Sequence, residues 1–115
     1  MAVAVSAALT VVVPNGSGLG GGGFWLLHRL EDRFETFVDG RERAPLAASA
    51  DMYLDENGDP ITKASREGPL AAGVPGLPAA LVHMAETYGA LPLAQNLAPA
   101  IRLAREGYPL YPRLR

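Results

Sequence analysis

Ser17-Gly18-Leu19-Gly20-Gly21-Gly22-Gly23-Phe24 places five glycines in six positions between two apolar runs, Val11-Val12-Val13 before and Phe24-Trp25-Leu26-Leu27 after. Glycine loses more conformational freedom on folding than any other residue, and it carries no Cβ. Four in a row within an apolar setting therefore mark a place where another stretch of backbone, or a ligand, comes close. A flexible linker does not fit, because Gly/Ser linkers lie in polar surroundings.

Outward from the glycines, Gly22 to His28 is apolar on both alternating faces, the pattern of a strand covered above and below. Glu31-Asp32 makes a turn, and Phe34 to Asp39 returns with aromatic and β-branched residues, so the two runs read as an antiparallel hairpin. Upstream, Ala2 to Val12 is apolar all round and fits a buried helix, although Val11 to Val13 alone fits a short strand equally well. Pro14-Asn15-Gly16 breaks it. Downstream, Asp55-Glu56-Asn57-Gly58-Asp59-Pro60 is a polar turn cluster and residues 61 to 76 read as loop. Leu77, Ala80, Leu81, Met84 and Tyr88 then recur at helical spacing, with Gly89 placed as a C-terminal stop. A second helix starts near Pro92, with Leu93, Leu97, Ala100, Ile101 and Ala104 on one face. Pro99 is expected to kink it or shift its start. Arg102 and Arg105 complement its dipole, and Gly107 ends it.

The chain has 115 residues, a formal net charge of -2 and no cysteine. That is one domain's worth of chain. Nine arginines and one lysine are scattered rather than clustered, so neither a nucleic-acid groove nor a polybasic membrane patch is suggested. Without cysteine there are no disulfides, thiolate nucleophiles or thiolate metal sites, and the compartment stays undetermined. Met1 to Val13 has no preceding basic residues and no clean small-residue cleavage site, so it does not read as a signal peptide, and it is too short to span a bilayer. It opens as if inside an element, without a polar cap, as a piece of a longer chain would.

Gly16-x-Gly18-x-x-Gly21 has the dinucleotide-binding spacing, with Asp39 at the distance of a ribose-binding acid. A helix directly after the glycines would be required, and four consecutive glycines nucleate one poorly. A non-catalytic dinucleotide-binding module using Gly16, Gly18 and Gly21 is the alternative function. No Lys-Ser/Thr follows for a phosphate loop. Asp55-x-Asn57-x-Asp59 resembles a calcium loop, but Pro60 and Arg66 replace the glycine and the bidentate acid that such a loop needs, so a turn at Asn57-Gly58 is the better reading. His28 and His83 read as solvated side chains. Arg41, beside Glu42 just past the second strand, suits bidentate capture of a carboxylate; pattern alone favours a structural ion pair.

Taken together, the residues resemble the γ-glutamyltransferase family, also called glutathione hydrolases. The resemblance rests on the glycine stretch; on Asp39-Gly40-Arg41-Glu42 followed by Ala44-Pro45; on Asp51-Met52-Tyr53-Leu54-Asp55; on Gly73-Val74-Pro75-Gly76; and on Tyr88-Gly89-Ala90-Leu91-Pro92-Leu93 leading through Pro99 to Pro109. These segments occur in family order across nearly the whole chain.

The resemblance implies an α/β (α+β) fold, a fragment of an αββα sandwich of the N-terminal nucleophile hydrolase type with an antiparallel hairpin and C-terminal helices. Residues 1–115 would form one partial domain, the N-terminal part of a large subunit. In such enzymes a precursor cuts itself, and the newly exposed threonine attacks the γ-glutamyl carbonyl to give an acyl-enzyme that water or an amino acid resolves. The implied substrate is glutathione or a related γ-glutamyl compound, and the implied partners are the rest of the large subunit and the small subunit. No cofactor or metal is implied. None of Thr10, Thr36, Thr62 and Thr87 has the Thr-Thr-His setting of the family nucleophile, so no catalytic residue is expected here. Arg41 matches the arginine that binds the substrate's α-carboxylate, and Glu42 matches the acid that orients it. Gly40 replaces the aromatic residue usual before that arginine, and the glycine run matches a core-strand segment. Many members of the resembled family are exported, which leaves a periplasmic or extracellular location open for the full-length protein; no signal is visible in this sequence.

Overall fold

A computed structural model describes residues 1–112. In chain order these form helix α1 (Ala2–Val12), strands β1 (Gly23–Arg29) and β2 (Phe34–Gly40), a short 3-10 turn at Pro69–Ala71, and helices α2 (Leu77–Tyr88) and α3 (Leu93–Glu106). The strands pair antiparallel in a register that runs from Gly23 opposite Gly40 to Arg29 opposite Phe34. The expected hairpin is thus present. Its turn is clasped by the Arg29 guanidinium, which donates to both carboxylate oxygens of Asp32 at 2.9 and 2.6 Å, while the Phe34 amide donates to Asp32 Oδ1 at 3.2 Å.

One face of the hairpin and the inner faces of the helices share a core of Val3, Ala7, Val38, Leu77, Ala80, Leu81, Met84, Ala85 and Ala100. Most of these are small, so the elements lie close together. Trp25 and Leu27 add to this core from β1, and Trp25 Nε1 donates to Ser6 Oγ at 2.8 Å, tying the hairpin to α1. Burial of the α1 face resolves the ambiguity at its end in favour of helix through Val12. The expectation that β1 is covered on both sides is corrected. Phe24, Leu26 and Phe37 lie on the other face, Leu26 being 80% exposed, and the Phe24 and Phe37 rings stack across the strands at 5.7 Å.

Helix α2 starts and ends on glycine, for reasons of space. Its N-terminus has no side-chain cap. Instead the Gly21 carbonyl accepts from the amides of Gly76 at 3.2 Å and Leu77 at 3.0 Å, and Pro78 has no amide to satisfy. At the other end Gly89 is extended (φ -83°, ψ 143°) rather than left-handed. A side chain there would run into the Ala85 carbonyl, so close approach and not positive φ requires the glycine.

Helix α3 runs unbroken through Pro99, so the expected shift of its start does not occur. One lost backbone bond is offset by burial of Ala100 and partial burial of Leu93 and Leu97, whereas Ile101 and Ala104 are exposed. Asn96 is the one buried polar residue among those described, and its Nδ2 donates to the carbonyls of Leu91 and Pro92 at 3.0 and 3.2 Å. It pins the α2–α3 turn, a role that helical spacing alone does not reveal. The Asp55 cluster is a turn, as expected: Asp55 Oδ1 accepts from Asn57 and Asp59 amides at 2.8 and 2.9 Å, and Gly58 takes a φ of 84°. No helix among the described residues is long and apolar enough to cross a membrane.

Two expectations follow from this packing. A methyl group on Gly40 would lie 2.6 Å from Trp25 Cζ3 and 2.7 Å from Ala80 Cβ, whereas one on Gly20 meets nothing within 4 Å. Gly40→Ala should lower unfolding free energy by about 1–3 kcal/mol in a urea titration, and Gly20→Ala should leave it unchanged or raise it by less than about 1 kcal/mol. Equal effects would show that the close packing at Gly40 is absent. The Arg29 hydrogen bonds hold the Asp32 carboxyl down at about 2. A carboxyl depressed in the folded state contributes stability above its unfolded pKa, and this is lost as pH falls through the folded value. An NMR titration of Asp32 should therefore show a midpoint near 2, returning toward the ordinary aspartate value in Arg29→Gln.

Candidate functional site

Three segments meet at the C-terminal end of β2. Residues Gly40 to Arg43 leave the sheet and pass between the glycine run and the start of α2. A side chain on Gly22 would strike the Gly40 carbonyl, the Glu42 amide and Glu42 Oε2 within 2.5–2.7 Å. One on Gly76 would strike the carbonyls of Gly40 and Arg41. Only residues without a Cβ allow such a crossing. Arg43 is then fixed by an antiparallel bridge to Val74, with amide-to-carbonyl distances of 3.1 and 2.8 Å in the two directions. The glycine run is thus less a strand than a floor: β1 begins only at Gly23, and the preceding glycines lie under the segment that carries Arg41.

This crossing opens a cleft of about 340 Å³ lined by Val38 to Arg41, Arg43, Val74 to Gly76, Ala79, Ala80 and His83. The Arg41 amide donates to Asp39 Oδ1 at 2.9 Å, turning the backbone out of the strand. Arg41 Nε lies 3.3 Å from Glu42 Oε2, so the ion pair expected from the sequence is present. The Arg41 side chain remains 68% exposed, and this pair is no buried lock. It holds one edge of the guanidinium and leaves donors for another carboxylate. Glu42 in turn packs over Gly21, Gly22 and Gly73. Gly40, where an aromatic residue is usual in the resembled family, leaves room that the Trp25 ring occupies.

Other candidates go elsewhere. His28 pairs across the strands with Glu35, Nδ1 to Oε1 at 2.9 Å, on the exposed surface. His83 is exposed as expected, yet it stands on the cleft wall contributed by α2, 3.3 Å from Thr87 Oγ1. Helical spacing placed it opposite the apolar stripe without showing that the β2 exit passes there. Gly16, Gly18 and Gly21 lead into β1 and not into a helix, so no helix N-terminus stands where a pyrophosphate would need one. The dinucleotide alternative is therefore set aside. Of the four threonines, Thr10 donates to the Ala7 carbonyl at 2.7 Å within α1, and none lines the cleft.

The family model described as gamma-glutamyltranspeptidase matches residues 1–115. A glutathione hydrolase proenzyme of Pseudomonas sp. (strain A14) is 49% identical over 109 residues, which is 95% of this chain and 19% of that protein. The crystal structure of Helicobacter pylori gamma-glutamyltranspeptidase superimposes with a TM-score of 0.92 at 44% identity, covering 97% of this chain and 32% of that one. The gamma-glutamyltranspeptidase from Pseudomonas nitroreducens complexed with L-DON gives a TM-score of 0.90 at 39% identity, with 97% and 33% covered. The chain therefore spans about a fifth of the length of the curated relative and about a third of the solved chains. With agreement in sequence and in backbone over nearly all its residues, this chain belongs to the gamma-glutamyltranspeptidase family.

Proposed function

We propose that this chain is the carboxylate-binding part of a γ-glutamyl hydrolase or transferase acting on glutathione or a related γ-glutamyl compound. In the complete enzyme a threonine nucleophile and the oxyanion donors come from outside these residues, and the reaction passes through an acyl-enzyme. Residues 1–115 are then one partial large-subunit domain, completed by the rest of that subunit and the small subunit. The observation that carries this is Arg41: its guanidinium is steadied on one edge by Glu42 at 3.3 Å, exposed on the other, and set on the wall of a cleft. A fixed planar cation of that kind suits the α-carboxylate of a γ-glutamyl group, and Glu42 sets its orientation.

Anchoring a substrate by its remote carboxylate is also sound catalytic design. The reacting amide is at the far end of the glutamyl side chain, and fixing the near end removes rotational freedom before attack. The finer αββα sandwich is part of the same proposal. What supports it is the open sheet face, where exposed Phe24, Leu26 and Phe37 have the apolar character of a surface that a second layer covers.

The test is substitution of Arg41 in a complete proenzyme bearing this segment. Arg41→Gln should raise KM for γ-glutamyl substrates roughly 10- to 100-fold, the scale expected for losing hydrogen bonds to a charged group. Arg41→Lys should recover only part of the loss, since a point charge lacks the planar fork. An unchanged KM in Arg41→Gln would remove Arg41 from the substrate site.

A further inference from the structure

A second arginine, Arg43, lines the cleft, and gripping one α-carboxylate does not use it. Arg41 and Arg43 both line the cleft, while Glu42 between them turns back over the glycines. That is the alternation of an extended segment, in which residues two apart share a side and lie about 6.6 Å apart along the chain. The bridge to Val74 fixes the backbone at Arg43. Ion pairs among the described residues join His28 to Glu35, Arg29 to Asp32, Arg41 to Glu42 and Lys63 to Glu67, and none of them involves Arg43. Asp39, the acid lining the same cleft, already accepts the Arg41 amide through Oδ1. Two arginines therefore line the cleft, Arg41 with its partner Glu42 and Arg43 with none among these ion pairs, and Asp39 is the one acid in the lining.

A cleft of this charge suits a ligand with two anionic groups, and its volume of about 340 Å³ is within the usual range of small-molecule sites. We propose that Arg43 is a specificity residue for the leaving half of the substrate: it takes the terminal carboxylate of the amino acid or peptide attached to the γ-glutamyl nitrogen, while Arg41 takes the α-carboxylate. The inference rests on the γ-glutamyl function proposed above. It assigns to this cleft a preference for γ-glutamyl peptides whose leaving group is an amino acid or peptide over γ-glutamyl amides whose leaving group is uncharged. Opposite charge placed at this wall selects among substrates that share the glutamyl end.

The experiment uses a complete proenzyme in which this segment replaces the matching stretch of the strain A14 relative. KM is measured for γ-glutamylglycine and for an uncharged γ-glutamyl anilide, in the parent and in Arg43→Gln, Arg43→Lys and Arg41→Gln. Arg43→Gln should raise KM for γ-glutamylglycine about tenfold and leave the anilide within about twofold, with Arg43→Lys in between. Equal changes for both substrates, or none for either, would overturn the role given to Arg43. If Arg43→Gln precursors do not mature, the ratio of the two KM values in Arg43→Lys decides: a ratio equal to the parent's sinks the proposal. Arg41→Gln reads the underlying function separately. A rise for both substrates supports it, and no rise refutes the α-carboxylate contact even where Arg43→Gln still discriminates.

Discussion

The Gly21 carbonyl, accepting hydrogen bonds from the amides of Gly76 and Leu77, is the contact on which the rest of the arrangement depends. It joins the glycine run to the start of α2 and supplies the acceptor that no side chain provides there. Because α2 presents Leu77, Ala80, Leu81 and Met84 to the core, fixing its first turn also fixes the main apolar layer against the hairpin. A backbone acceptor in place of a serine or aspartate cap has a consequence. The end of the helix is satisfied by a residue far away in sequence and not by its own cap residue.

The same crossing explains why function and packing are inseparable here. Gly40 to Arg43 pass through a gap too narrow for any Cβ at Gly22 or Gly76. The segment therefore cannot slide, and the direction of Arg41 is set by backbone contacts on both sides before its ion pair with Glu42 adds anything. An exposed pair of this kind contributes little to stability. Its value is in orientation: the guanidinium keeps one edge engaged and one edge available. Trp25 serves the same end, since its ring fills the space beside Gly40 and its Nε1 reaches Ser6 on α1.

A chain with a sheet covered on one face and bare on the other is consistent with its place in a larger family architecture. Phe24 and Phe37 stack with each other on the bare face, which removes some apolar surface from water and leaves Leu26 almost wholly exposed. Opposite, four of the nine buried core residues are alanines, which lets backbones approach closely at those points.

The sequence by itself determined the elements and the family. A continuous apolar run before Glu31-Asp32 and an aromatic and β-branched run after it specified the hairpin, and apolar residues at helical spacing from Leu77 to Tyr88 specified α2, because such patterns are local properties of the chain. The ordered motifs singled out Arg41 and Glu42. Only the tertiary structure decided what the glycines are for: they admit Gly40 to Arg43 between two other backbones, a relation among residues far apart in sequence that no local pattern encodes. It also decided that one face of β1 stays bare, since alternation records which residues are apolar and not what covers them. Arg43 and His83 came to the cleft in the same way, one by strand alternation after the crossing and one from the outer side of a helix. Pro99 and Asn96 mark the same boundary, for packing over a whole helix outweighed one missing amide, and a buried amide side chain found carbonyl partners only once the α2–α3 turn had closed.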